Sequence, residues 1–238
     1  KYVKRNETNS PINWMKENIK EARKNKQTPI VLISTGSYNP GHKMHIMILK
    51  QAKQQIEKKD KTKKIVGAVI SPSHDHYVKG KLGKEHIKGE HRSHILKHLI
   101  DDLGCEKQIR VDTYESQSCT RFIDFDEIVI GMNDYMKETI GEDIETYYVC
   151  GSDVVTNVPY LINKIRKQPG CGVVAIERIT TTKIKKLKEK ERLIVLQATS
   201  DEQISSTRIR EAIKKREPLL PYMTTGAIEY CKAKKIIP

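Results

Sequence analysis

The sequence predicts a doubly wound α/β fold: a mostly parallel, Rossmann-like sheet with helices on both faces. Three observations predict it. Short apolar runs such as Ile30-Val31-Leu32-Ile33 are continuous, as in strands buried on both sides. They alternate along the chain with segments of helical period, the order that builds parallel sheets. The segments richest in Gly, Ser and His follow directly after strands, where such sheets bind their ligands.

The elements follow in order. Ser10 to Lys26 predicts a helix: Ser10 caps it, Pro11 suits its first turn, and Ile12, Met15, Ile19 and Ala22 recur at helical spacing. It precedes the first strand as an appendage. The chain therefore divides into an N-terminal helical extension, 1–29, and one domain, 30–238. Ile30 to Ser34 is the first strand, and a loop from Thr35 to His42 leads into a helix through about Lys58. Ile65 to Ile70 is the second strand. A helix from His86 to Leu103, a strand at Ile109 to Asp112 and a helix from Ile123 to Ile140 come next. Thr146 to Gly151, Val173 to Ile176 and Leu193 to Gln197 are further strands. Helices from Ser206 to Arg216 and Thr224 to Lys234 close the chain. Ser116 to Glu145 is the best candidate for a variable insertion.

Composition narrows the class. Of 238 residues 37% are hydrophobic, enough for a core, yet no apolar run approaches a membrane span. The chain starts on Lys1 rather than Met, so the natural start is read as missing; the visible start has no signal-peptide core. Five cysteines without CxxC spacing argue for a reducing compartment, cytoplasmic or nuclear, over a disulfide framework. The net charge of +14 suits anionic partners. Much of it lies in runs, Lys58 to Lys64 and Lys183 to Arg192, that read as solvated faces. No nucleic-acid motif or aromatic interleaving accompanies them, so no nucleic-acid partner is expected. Homo-oligomerisation stays open.

The first chemical motif is Gly36-Ser37-Tyr38-Asn39-Pro40-Gly41-His42-Lys43-Met44-His45. Gly36 allows close approach of backbone to ligand, and the following helix offers its amino end to an anion. His42 and His45 are spaced to share one face of the first turn and to donate to phosphate oxygens. A zinc site would need more ligands, which His74-Asp75-His76 supply in principle. The second motif is Ile204-Ser205-Ser206-Thr207-Arg208-Ile209-Arg210, at a passage into a helix. Its hydroxyls cap the helix and bond phosphates, and Arg210 can fork onto two phosphate oxygens.

Together these strings resemble the two signatures of the nucleotidyltransferase superfamily with an HxxH motif, the second matching ISSTxxR residue for residue. Three further segments narrow the resemblance: Ile70-Ser71-Pro72 through Asp75 and Tyr77 to Lys79, Ile109-Arg110-Val111-Asp112 to Tyr114-Glu115-Ser116, and Cys150-Gly151-Ser152-Asp153. These look like the corresponding parts of eukaryotic nicotinamide/nicotinic acid mononucleotide adenylyltransferases, over about residues 30–238. The resemblance implies an enzyme that joins ATP to nicotinamide or nicotinic acid mononucleotide, with a phosphate-bound Mg²⁺ and no metal ligands from the protein. It implies that Gly36, Ser37 and Tyr38 line the dinucleotide and that His45, with His42, meets the ATP phosphates. Lys79, with Tyr77 nearby, would hold the mononucleotide phosphate. Tyr114 and Glu115 would face the pyridine ring, and Gly151 and Asp153 the ribose. Ser205, Thr207, Arg208, Ile209 and Arg210 would grip the triphosphate. His42, His45, Lys79 and Arg210 are the expected catalytic set.

The family commonly has Trp where this chain has Tyr114, and a second Trp after the glycine–aspartate strand end; here the only Trp is Trp14. Tyr114 is therefore the expected stacking surface, with little discrimination between amide and acid. Removal of residues 1–29, outside every matched motif, is expected to leave activity, with some loss of stability or of oligomer contacts because its apolar face must pack somewhere. Two rivals remain. One is a sister enzyme acting on another phosphate such as phosphopantetheine, disfavoured by the IRVD…YES and ISP…Lys79 segments. The other is a non-catalytic nucleic-acid or protein scaffold, disfavoured by intact His45 and Arg210.

Overall fold

The computed structural model describes residues 3–177, 188, 190–198 and 204–238. Of the basic run Lys183 to Arg192, residues 183–187 and 189 lie outside the described residues. The helices are α1 (Lys16–Lys24), α2 (Lys43–Lys59), α3 (Asp75–Leu82), α4 (Gly89–Asp102), α5 (Phe125–Thr139), α6 (Ser152–Asn157), α7 (Pro159–Lys167), α8 (Ser206–Lys215) and α9 (Thr225–Ala233). The strands are β1 (Thr28–Gly36), β2 (Lys63–Pro72), β3 (Ile109–Val111), β4 (Glu145–Gly151), β5 (Cys171–Glu177) and β6 (Leu193–Gln197). They form one sheet in the order β3-β2-β1-β4-β5-β6, with every pair parallel. The doubly wound expectation holds.

Side chains in β1 alternate between the two faces, and both are buried. Ile30 and Leu32 pack with Ile46, Leu49, Leu96, Leu99 and Ile209 beneath α2, α4 and α8. Val31 and Ile33 pack with Ile19, Val129, Met132 and Ile165 beneath α1, α5 and α7. The chain winds outward from β1 through β2 to β3, then returns to lay β4 on the other side of β1. β1 pairs with β4 only from Ile30↔Glu145 to Ile33↔Tyr148, but with β2 as far as Gly36↔Pro72. Beyond Ile33 the carboxyl ends of β1 and β4 part, and a crevice opens at this switch point.

Several expectations change. The first helix is shorter: a 3₁₀ turn at Asn13–Met15 leads into α1. Ser10 does not cap it. Its hydroxyl is fully buried, donating to Asp112 at 2.6 Å and accepting from Arg5 at 2.6 Å. The Glu7 carboxylate instead accepts from the Ile12 and Asn13 amides. Ile12, Met15, Ile19 and Ala22 are at most 1% exposed and cover one face of the sheet, so in packing this segment is no appendage. The 116–145 segment is well packed. Its α5 is the crossover between β3 and β4, and buries Ile128, Val129, Met132 and Met136. α3, α6 and α7 escape the sequence reading because each is short. α3 buries only Val78, and Pro159 breaks the stretch after β4 into two helices.

Candidate active site

The crevice is bounded by the ends of β1 and β4 and by the segments that follow β1, β2 and β3. Gly36 and Ser37 lie on it, with Tyr77 and Lys81 of α3, Glu115, Phe122, Phe125, Tyr148 and Asp153, around about 310 Å³. Four aromatic rings on its walls stack in two pairs. Tyr77 lies on Phe122 (centroids 4.6 Å apart) and Phe125 on Tyr148 (4.9 Å).

The first motif forms a tight loop. Tyr38 has φ of 46°, a left-handed conformation that a bulky residue adopts only under constraint. The constraint is its ring, which is buried, bonds Ser34 Oγ at 2.8 Å and meets the His45 ring edge-on at 4.7 Å. Tyr38 thus supports His45 from below rather than lining the crevice. His42 precedes α2, and its N–H donates to Nδ1 of His45 at 3.1 Å. The two imidazoles stack with centroids 3.5 Å apart.

The second motif is held against the first. Ser206 Oγ donates to the Pro40 carbonyl at 2.7 Å, and Arg210 donates to the Asn39 carbonyl at 3.0 Å. The amino ends of α2 and α8 therefore converge on one loop, an arrangement suited to polyphosphate. Arg210 also reaches Thr207 Oγ1 at 3.3 Å and pairs with Glu85 at 2.8 Å. Lys214 pairs with the same carboxylate, and these two cations hold Glu85 below the usual carboxylate range. Ser205 Oγ caps α8 through the Arg208 amide, and the Arg208 side chain is exposed beside Tyr222. Ile209 does not belong to a ligand surface. Its side chain is fully buried and its amide is spent on the Ser205 carbonyl. At the end of β4, a Cβ on Gly151 would collide with the Asp153 carboxylate, so glycine lets Asp153 fold back toward the crevice.

Other expected site residues are not on the crevice. Tyr114 points away from it. Its ring is 7% exposed beneath the Arg5 guanidinium, 4.0 Å from the ring centre, and borders a separate cavity with Lys4, Glu127 and Tyr135. A π-type turn over Tyr114–Ser118 causes this, sending Tyr114 to one side and Glu115 to the crevice. Lys79 is exposed on α3, while Lys81, two residues on, borders the crevice. The aromatic surface is Phe122 and its partners.

Sequence reasoning also missed Arg92. It is fully buried and donates to the carbonyls of Ile87, Ser37 and Ser73 and to Asp75, at 2.7–2.9 Å. One guanidinium thereby ties together the loops after β1 and β2 and the start of α4. A legible signal existed: Arg92 is a cation on the apolar stripe of Ile95, Leu96 and Leu99.

A switch-point crevice beside two convergent helix amino ends, paired imidazoles and an arginine fork defines a nucleotide-handling transferase site. The chain belongs to the cytidylyltransferase-like family, which matches residues 33–212. It is 26% identical over 231 residues to a nicotinamide/nicotinic acid mononucleotide adenylyltransferase of Oryza sativa subsp. japonica, covering 89% of this chain and 87% of that one. It is 25% identical over 228 residues to the Arabidopsis thaliana protein of the same name, covering 87% and 89%. In fold it is similar to Plasmodium falciparum nicotinic acid mononucleotide adenylyltransferase complexed with NaAD. That match has a TM-score of 0.63 and 17% identity, and covers 87% of this chain and 96% of that one. Among the described residues, no helix is long and apolar enough to cross a membrane.

Proposed function

We propose that the protein transfers the adenylyl group of ATP to nicotinamide or nicotinic acid mononucleotide, forming NAD or deamido-NAD and pyrophosphate. The observation that carries this reading is the junction of the two motifs, Ser206 on Pro40 and Arg210 on Asn39, beside the switch-point crevice. The names of the plant relatives support the same acceptor class.

In the reaction an oxygen of the mononucleotide phosphate bonds to the α-phosphorus of ATP, and the bond from that phosphorus to the bridging oxygen breaks. Pyrophosphate leaves with the electron pair. The nucleophile is already ionised near neutral pH, so catalysis rests on in-line positioning and on cationic donors. His45 and His42 would face the ATP phosphates at the start of α2. Thr207, Ser206 and Arg210 would receive the departing pyrophosphate at the start of α8, with Arg210 exchanging Glu85 for phosphate. Asp153 would hold ribose hydroxyls.

The polar groups converging on the two helix ends are donors suited to phosphate oxygens. Among the described residues no three His, Cys, Asp or Glu side chains are arranged to hold a metal. A Mg²⁺ ion bound through phosphate oxygens and water would neutralise triphosphate charge. The unpaired cysteines support a reducing compartment, cytoplasmic or nuclear.

The test is to supply ATP with each pyridine mononucleotide and assay dinucleotide and pyrophosphate. Turnover with phosphopantetheine instead would move the protein to the sister chemistry. Two substitution sets test the site. Phe122→Ala should raise KM about tenfold for both mononucleotides, since one lost aromatic stack is worth about 0.5–1.5 kcal/mol beyond its area. Tyr114→Ala should lower Tm and spare KM; the opposite pattern would return the stacking role to Tyr114. Arg210→Ala should weaken ATP, and Lys79→Ala the mononucleotide, the second on the strength of the resemblance. Titrating each substrate separately decides this, and a loss confined to Lys81→Ala would transfer the phosphate role to Lys81.

A further inference from the structure

The mechanism above makes no use of Glu115, although this carboxyl is the most deeply buried ionisable group bordering the crevice, at 1% exposure. Its position is over-determined on one side only. Oε1 accepts from the main-chain amide of His74 at 2.8 Å and from that of Ile123 at 3.5 Å. Both of these bonds fall on Oε1. The wall that presents it also carries Phe122 and Phe125, the rings suited to flank a flat heterocycle. Main-chain anchoring of one oxygen fixes where the other stands, as a recognition group requires.

We propose that Glu115 is the specificity-determining residue that reads the carboxamide or carboxylate on the pyridine ring. This inference rests on the pyridine mononucleotide reading given above. Ionised, Oε2 accepts from a carboxamide N–H and repels a carboxylate. Protonated, it donates its O–H to a carboxylate and forms a neutral-acid-to-anion hydrogen bond, the stronger kind. One side chain thus accepts either substrate, and its protonation state sets which is favoured.

The titration falls in the working range. Burial pushes the Glu115 carboxyl up to about 7, while the two amides and Arg92 pull it down and Asp112 adds to the rise. Around it stand Arg92 of α4, Asp112 after β3, Cys119 at the end of the π-type turn and His74 ahead of α3. Lys81 and Asp153 also border the crevice. Burial holds His74 below its ordinary value and raises the Cys119 thiol, so it disfavours the charged form of both neighbours. Both mononucleotides carry the same titrating phosphate, which cancels when they are compared.

The test is the ratio of kcat/KM for the acid to that for the amide mononucleotide, measured from pH 6 to 8 in wild type and Glu115→Gln. The wild-type ratio should fall about tenfold as pH rises through 7, because the specificity constant follows the free enzyme's protonation state. In Glu115→Gln, which keeps the amide bonds at Oε1, the ratio should be flat. A flat wild-type ratio overturns the proposal without need of the variant, as does a pH-dependent ratio that survives Glu115→Gln. Absence of turnover with both mononucleotides at every pH would overturn the function itself, a distinguishable result.

Discussion

His45→Ala should leave a folded protein whose kcat is lower by about 10²–10³, equivalent to about 3–4 kcal/mol of transition-state stabilisation. The reasoning starts from the hydrogen bond at the start of α2. His42 N–H donates to Nδ1 of His45, so a neutral His45 carries its proton on Nε2, which becomes the donor toward a phosphate oxygen. The stacked His42 ring and the edge of Tyr38 fix the plane of that imidazole. Preorganised donors act where charge develops, and in this reaction charge develops on the oxygens around the α-phosphorus. Alanine is the best helix former and His45 is only partly buried, so the fold should survive. Circular dichroism establishes that, and single-turnover assays of dinucleotide formation measure the loss. Near-normal turnover in a folded His45→Ala protein would remove His45 from the chemistry.

Deleting residues 1–24 should give an unfolded or insoluble chain, although every motif lies downstream. Ile12, Met15 and Ile19 are buried against the sheet, each contributing about 1.5–3 kcal/mol. The same segment supplies Arg5, which pairs with fully buried Asp112 at 3.0 Å while Ser10 and Ser71 donate to the same carboxylate. Removing one partner of a buried pair costs about 3–5 kcal/mol because the remaining charge stays desolvated. These losses together are comparable to the whole margin of about 5–15 kcal/mol that a domain possesses. A smaller version of the test is Arg5→Ala, which should lower stability by about 3–5 kcal/mol in urea titration while activity persists in the folded fraction. A truncated protein with the parent's Tm and turnover would show the segment to be dispensable.

The packing of this segment is where linear reading stops short. The helical period of Ile12, Met15, Ile19 and Ala22 announces an apolar face. It does not say that the face packs against β1 and β2 beside α5. Ser10 shows the same limit: as a hydroxyl before a helix it reads as a cap, but a buried carboxylate more than 100 residues away claims it. Tyr114 reads as a ring stacker by its place in a motif, yet a single π-type turn sends it beneath Arg5 and delivers Glu115 in its stead.

By itself the sequence determined the class of fold, the order of the strands and of the longer helices, and the two motifs. Each rests on local physics: buried strands need continuous apolar runs, helix starts need hydroxyl caps, and close approach of backbone to phosphate needs glycine. Only the tertiary structure decided which residues share the crevice. It set Phe122 and Tyr148 on its walls, buried Ile209, turned Tyr38 into a support for His45 and gave Arg92 three loops to hold. Those outcomes depend on main-chain carbonyls and amides from distant segments meeting one side chain. Hydrogen bonds of that kind, such as Arg92 on the Ser37 and Ser73 carbonyls, leave no periodicity or spacing in the sequence, because every residue carries the same main-chain acceptor.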